Sequence, residues 1–193
     1  MAVPAGCTRP ASRCLLPRFN RLLIVLGLCI LLCSSAVSAA ELVLNTSSME
    51  QYKAGISYSG TDPLVIIIVD EVAIASTSYA GIESTAPVTI RSPTGKTLTI
   101  TDRNDSVRLY GITAPAVTLE SGHLAITVNG NNDGEKGNAF GISAGAGNVT
   151  IAGGSVATTV ETTGHKNKGI YASRYIVVSE GQVTTDERGG SNT

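Results

Sequence analysis

Gly141-Ile142-Ser143-Ala144, then Val149-Thr150-Ile151, then Gly154 and Val156-Ala157-Thr158: this stretch decides the fold. In an extended chain, residues i and i+2 face the same side. Val149 and Ile151 therefore share a face that Thr150 does not, and Ile142 shares one with Ala144. The same order is found on either side. A Gly-Ile pair stands at Gly81-Ile82, Gly111-Ile112, Gly141-Ile142 and Gly169-Ile170, at intervals of 30, 30 and 28 residues, with a weaker copy at Gly55-Ile56. A small residue follows two places after the Ile: Ser84, Ala114, Ala144, Ala172. Next come Val88-Thr89-Ile90, Val117-Thr118-Leu119 and Ile176-Val177-Val178, and then the turn glycines Gly95, Gly122 and Gly181. Leu98-Thr99-Ile100, Leu124-Ala125-Ile126 and Val183-Thr184-Thr185 close the units.

Agreement at several independent positions across four copies marks an internal repeat. Each unit predicts three short strands separated by glycine or polar turns. One unit cannot bury its apolar face alone, but stacked on a copy of itself it can. Ile82, Ile112, Ile142 and Ile170 then form a ladder at about 4.8 Å per step. Val88, Val117, Val149 and Ile176 form a second ladder, and Ile90, Leu119, Ile151 and Val178 a third. The expected fold class is all-β: a right-handed parallel β-helix (solenoid) of about five rungs, three strands per rung. The hand is taken from the general preference of parallel crossovers.

The composition agrees. Among 193 residues, 42% are hydrophobic but only 15% charged, too few charges for a disordered acidic or basic tail. With 4% aromatics, 21 glycines and abundant Thr, Ser and Val, the chain is not an ordinary helical bundle either.

Residues 1–40 read as a secretory signal. Arg9, Arg13, Arg18 and Arg21 are a basic region, Leu22 to Cys33 an unbroken apolar run, and Ala36-Val37-Ser38-Ala39-Ala40 a small-residue cleavage site. Cleavage is expected after Ala39 or Ala40. An uncleaved anchor is the alternative, but the run is short of the roughly 20 residues of a span. All four cysteines (Cys7, Cys14, Cys29, Cys33) lie in this leader, so the exported chain is expected to have no disulfide, no catalytic thiolate and no thiolate zinc site. Four basic residues leave with it, and ten Lys and Arg then face fifteen Asp and Glu. That balance gives no footprint for nucleic acid.

Residues 41–54 are assigned to an N-terminal cap, 55–188 to the repeats and 189–193 to a polar tail. Ser47-Ser48-Met49-Glu50 matches a capping box, and a short helix or strand here would cover the first rung. Leu64 to Val69 is expected within that rung. No capping element follows Val183-Thr184-Thr185. A bare last rung implies end-to-end self-association or a shortened version of a longer array, and the second is preferred. Polar insertions are placed at Asp102 to Arg108, Asn129 to Asn138 and Glu161 to Lys168, all on one edge of the solenoid, where repeat proteins often bind.

These repeats resemble the Gly-Ile-x-Ala…Val-Thr-Ile-x-x-Gly-x-Val-x-Thr units of bacterial surface β-helix proteins: autotransporter passenger domains, adhesin-like repeat proteins and a carbohydrate-binding β-helix family. The resemblance covers about residues 55–188 and implies the architecture. In the carbohydrate-binding family, acidic residues beside the Gly-Ile pair are associated with calcium and acidic sugars. Here the residue before Gly is Ala80, Tyr110, Phe140 or Lys168, never Asp.

Catalytic motifs are poorly represented. Thr94-Gly95-Lys96-Thr97 ends like a phosphate loop, but the position five before Gly95 is Ile90 and Gly95 is a repeat turn. Gly145-Ala146-Gly147 is followed by a ladder strand rather than a helix. Asn129 to Glu135 opens like a calcium loop, with Asn131, Asp133 and Glu135 as oxygen donors, yet its twelfth position is Phe140 instead of Glu. No cofactor is expected, and calcium at that loop is the one metal the pattern suggests. His123 and His165 occupy different parts of their repeats and are expected to be exposed. No Ser–His–carboxylate constellation is marked. Asp133, Glu135 and Glu161 are the only carboxylates whose placement suggests a lyase or hydrolase.

The aromatics are the better candidates for ligand contact. Tyr110 and Phe140 are equivalent, two before the Ile ladder, and are expected to stack while pointing inward or over the lip. Tyr171 and Tyr175 are expected outward. The expected function is that of an exported surface or secreted binding module. It would meet a polysaccharide, or a host surface glycan or protein, through multivalent weak contact without catalysis. A structural spacer or remnant of a longer adhesin is the alternative, and a polysaccharide lyase or hydrolase is third.

Overall fold

The structure, a computed structural model, describes residues 38–104, 108–130, 137–163 and 166–189. The chain winds into a β-solenoid of about five coils. The first coil is β2 (Ile56–Tyr58), β3 (Leu64–Ile68) and β4 (Val72–Ser76). The next is β5 (Ala80–Ser84), β6 (Val88–Arg91) and β7 (Thr97–Arg103), followed by β8 (Arg108–Ala114), β9 (Val117–Leu119) and β10 (His123–Gly130). The last two are β11 (Asn138–Ala144), β12 (Val149–Ile151) and β13 (Ser155–Thr162), then β14 (Lys166–Ala172), β15 (Ile176–Val178) and β16 (Gln182–Arg188). Before them lie β1 (Ala40–Leu44) and the four-residue helix α1 (Met49–Tyr52).

Each third of the repeat builds its own parallel sheet. The sheets run β2-β5-β8-β11-β14, β1-β3-β6-β9-β12-β15 and β4-β7-β10-β13-β16. The register is the one the repeat implies. Ile56 pairs with Ile82, Ile82 with Ile112, Ile112 with Ile142 and Ile142 with Ile170. Val88, Val117, Val149 and Ile176 are successive partners, as are Ile90, Leu119, Ile151 and Val178. Most of these aliphatics are fully buried, each contributing roughly 1.5–3 kcal/mol. Ser84, Ala114 and Ala144 are buried at equivalent positions, where only a small side chain follows the Ile column.

At each Gly-Ile pair the in–out alternation slips by one. Leu109 and Ile112 are both buried although three apart, and so are Ala139 and Ile142. Gly111 and Gly141 take up the slip. A Cβ on Gly111 would come within 2.2 Å of Ile126 Cγ2, so only glycine lets the strand pass. The slip leaves Tyr110 and Phe140 outside, next to the following outward positions Thr113 and Ser143. Of the expectation that they stack while pointing inward or over the lip, the stacking holds and the inward alternative is corrected: neither ring packs on the core cluster.

Two other expectations are corrected. The start of α1 is not held by a Ser47–Glu50 box. The Asn45 side chain accepts from the Ser48 amide at 2.8 Å, while the Ser48 hydroxyl accepts from the Asn45 amide at 3.0 Å. Glu50 instead pairs with Lys53, whose carbonyl accepts from the Ala75 amide and so fixes α1 over the edge of β4. The polar insertions are also narrower than their composition suggests. The strands continue to Arg103, Gly130 and Thr162 and resume at Arg108, Asn138 and Lys166. Parallel pairing carries polar residues into the ladder, and Asp102 is thereby fully buried between Ser76 and Val128.

The last coil differs from the others. Ile176, Val178 and Val183 continue the interior columns, but Ile176 is 50% exposed because no described strand lies over it. No helix among the described residues is long and apolar enough to cross a membrane.

Candidate functional site

The outer face of the sheet β2-β5-β8-β11-β14 carries the aromatics. In-register stacking sets Tyr110 beside Phe140. Their rings lie 5.5 Å apart at 12°, a stacked pair. Tyr171 extends the column, 5.4 Å from Phe140 and tilted by 48°. It reaches back from the Thr113–Ser143–Tyr171 column, because Lys168 occupies the place next to Phe140. The Lys168 ammonium sits 5.3 Å from the Tyr171 ring centre. At the other end Tyr79 meets Tyr110 edge-on, at 6.1 Å and 84°.

This geometry decides which ring surfaces are available. Tyr110 and Phe140 cover one face of each other, and the Lys168 cation lies against Tyr171. The Tyr79 end is open. A cleft of about 410 Å³ runs there, lined by Tyr79, Tyr110, Glu83, Arg108 and Thr113, with Gly145 and Ala146 among its other walls. The volume falls within the range of small-ligand clefts. The Tyr79 phenol is pushed up to about 12, chiefly by the neighbouring Glu83 carboxylate and secondarily by burial. Tyr79 therefore stays neutral across the physiological range. Thr113 and Arg108 add a hydroxyl and a guanidinium, so the cleft combines aromatic walls with donors and acceptors.

Tyr79, Glu83 and Arg108 were not singled out from the sequence. Tyr79 stands one position before the residue that pairs with Tyr110, so it breaks the repeat pattern. Arg108 stands at the end of the polar insertion that begins at Asp102. Glu83 is the register partner of Thr113, a relation visible only once the columns are aligned.

The other candidates separate. Tyr171 belongs to the aromatic column, whereas Tyr175 is 70% exposed in the last coil and takes part in none of these ring contacts. Asn131, Asp133 and Glu135 lie outside the described residues, as does His165, so the calcium loop and its carboxylates are not placed. Among the described residues no group of three or more His, Cys, Asp or Glu could hold a metal. His123 shares a column with Ser155 on the outer face of another sheet, its Nδ1 2.7 Å from the Ser155 hydroxyl. This exposed pair does not line the cleft.

Asp102 is the most unusual titratable group. Neither carboxylate oxygen has a hydrogen-bond partner, and burial pushes it up to about 7. The nearby Tyr110 amide lowers it slightly, but that N–H donates to the Tyr79 carbonyl at 2.9 Å. Compared with protein-family models, curated proteins and solved structures, the chain finds no match.

Proposed function

We propose that the chain is an exported, cell-surface or secreted β-solenoid that binds glycans on the outer aromatic face, without bond chemistry. The observation that carries this reading is the cleft at the Tyr79 end of the column. Aromatic walls there suit the apolar face of a sugar ring, and Glu83, Thr113 and Arg108 suit its hydroxyls. A polysaccharide or host surface glycan would lie along the coils, held by several weak contacts. The basic and apolar leader supports export. The repeat motifs, which resemble those of bacterial surface β-helix proteins, support a surface role.

A structural spacer, or a remnant of a longer adhesin, is the second reading. It is favoured by the mutual covering of Tyr110 and Phe140, which makes part of the column packing rather than recognition. A glycan array probed with the full chain and with Tyr79→Ala separates the two. Binding that Tyr79→Ala abolishes supports the glycan reading, and no binding to any glycan supports the spacer.

A further inference from the structure

The cleft holds two opposite charges that do not meet. Glu83 and Arg108 both line it. Among the described residues the ion pairs are Lys53–Glu50, Arg91–Glu41 and Arg188–Asp186, and neither Glu83 nor Arg108 takes part in them. Two tyrosines stand beside these charges at 84° to one another and form an aromatic corner. Ring faces carry negative potential. A carboxylate fixed next to such a corner deepens that potential, so the corner favours a bulky, weakly hydrated cation. A planar guanidinium, in turn, matches the oxygens of a phosphate or carboxylate.

We propose that this cleft is a site for a zwitterionic group that joins an alkylammonium to a phosphate, of the phosphocholine type. The ammonium sits in the Tyr79–Tyr110–Glu83 corner and the phosphate meets Arg108. A lone cation makes no use of the Arg108 guanidinium, and a lone anion leaves the corner empty. A ligand with both ends engages both charges at once, neither of which is in an ion pair among the described residues. The proposal rests on the reading of this face as the binding face and names the chemistry the cleft selects.

The test is a titration of the full chain with phosphocholine, choline and inorganic phosphate, followed by tyrosine fluorescence. Phosphocholine should bind about tenfold tighter than choline or phosphate alone. Glu83→Gln should weaken choline and phosphocholine alike. Arg108→Gln should reduce phosphocholine to the affinity of choline and leave choline unchanged. Both side chains reach the cleft from the outer face, so folding, checked by circular dichroism, should be retained. Absence of phosphocholine binding to the wild-type chain overturns the proposal, as does an equal effect of Arg108→Gln on choline and phosphocholine. If arrayed glycans bind while phosphocholine does not, this proposal fails and the glycan reading stands. If phosphocholine binds while no glycan lacking it does, the site stands and the broader reading fails. Phosphatidylcholine vesicles and a phosphocholine-bearing polysaccharide, offered separately, identify whether the group is taken from a lipid or from a glycan.

Discussion

Gly111 lies so close under the next coil that a Cβ on it would stand 2.6 Å from the Gly141 carbonyl oxygen. The same atom would be 2.2 Å from Ile126 Cγ2, which comes from a different sheet. Glycine is required here by space rather than by a positive φ. Gly111→Ala should therefore destabilise the fold by at least the roughly 1–3 kcal/mol of core overpacking. Gly141→Ala should do the same, since its Cβ would meet the Gly169 carbonyl at 2.5 Å. Gly145→Ala, with nothing within 4 Å, should leave the urea midpoint unchanged.

Asp102 makes stability depend on pH in the direction opposite to that of a salt-bridged carboxylate. Its folded form holds its proton up to about pH 7, whereas an unfolded chain loses it near 3.8. The folded state thus binds the extra proton between those values, and stability falls as pH rises through that window. The shift corresponds to roughly 4 kcal/mol as an upper figure. Asp102→Val, which places Val between Ser76 and Val128, should be more stable than the wild type at pH 8. It should also flatten the decline between pH 4 and 7. Equilibrium urea unfolding at several pH values checks both outcomes.

The interior columns should lose value toward the last coil. Ile151 is fully buried, while its partner Val178 is 47% exposed. Ile151→Ala should cost roughly 2–5 kcal/mol. Val178→Ala should stay within about 0.5 kcal/mol. Amide exchange should follow the same order, with β15 opening well before β12. Equal protection in the two strands would mean that the last coil is covered in solution.

Tyr110 touches an aromatic ring on either side. Replacing it with Ala should remove two ring contacts worth about 0.5–1.5 kcal/mol each. It should also weaken the near-ultraviolet dichroism of the column while leaving the far-ultraviolet β signal intact. Tyr175→Ala, outside the column, should change neither signal appreciably.

The coils were legible because the Gly-Ile pair fixes the phase of each unit, and like aliphatics then have one place to go. Ile112, Ile142 and Ile170 could be aligned by counting alone. Asp102 was not legible, because a charged residue beside an Asn- and Asp-rich segment resembles a loop. Only the register of Ser76, Asp102 and Val128 shows that pairing continues through it. The site was read in part. Tyr110 and Phe140 follow from repeat equivalence and Tyr171 from its place after Ile170, but the outward turn of the first two depends on the alternation slip at the glycines. Tyr79, Glu83 and Arg108 come together across neighbouring coils from positions that are not equivalent in the repeat, so periodicity gave no sign of the cleft.

The column of isoleucines is tested most directly by methyl NOE spectroscopy on isoleucine-labelled protein. Cross-peaks should link Ile82 to Ile112, Ile112 to Ile142 and Ile142 to Ile170, with Ile112 to Ile170 much weaker because a coil lies between them. Missing neighbour peaks, or an Ile112–Ile170 peak as strong as the others, would contradict the stacked-coil architecture and the binding face built on it.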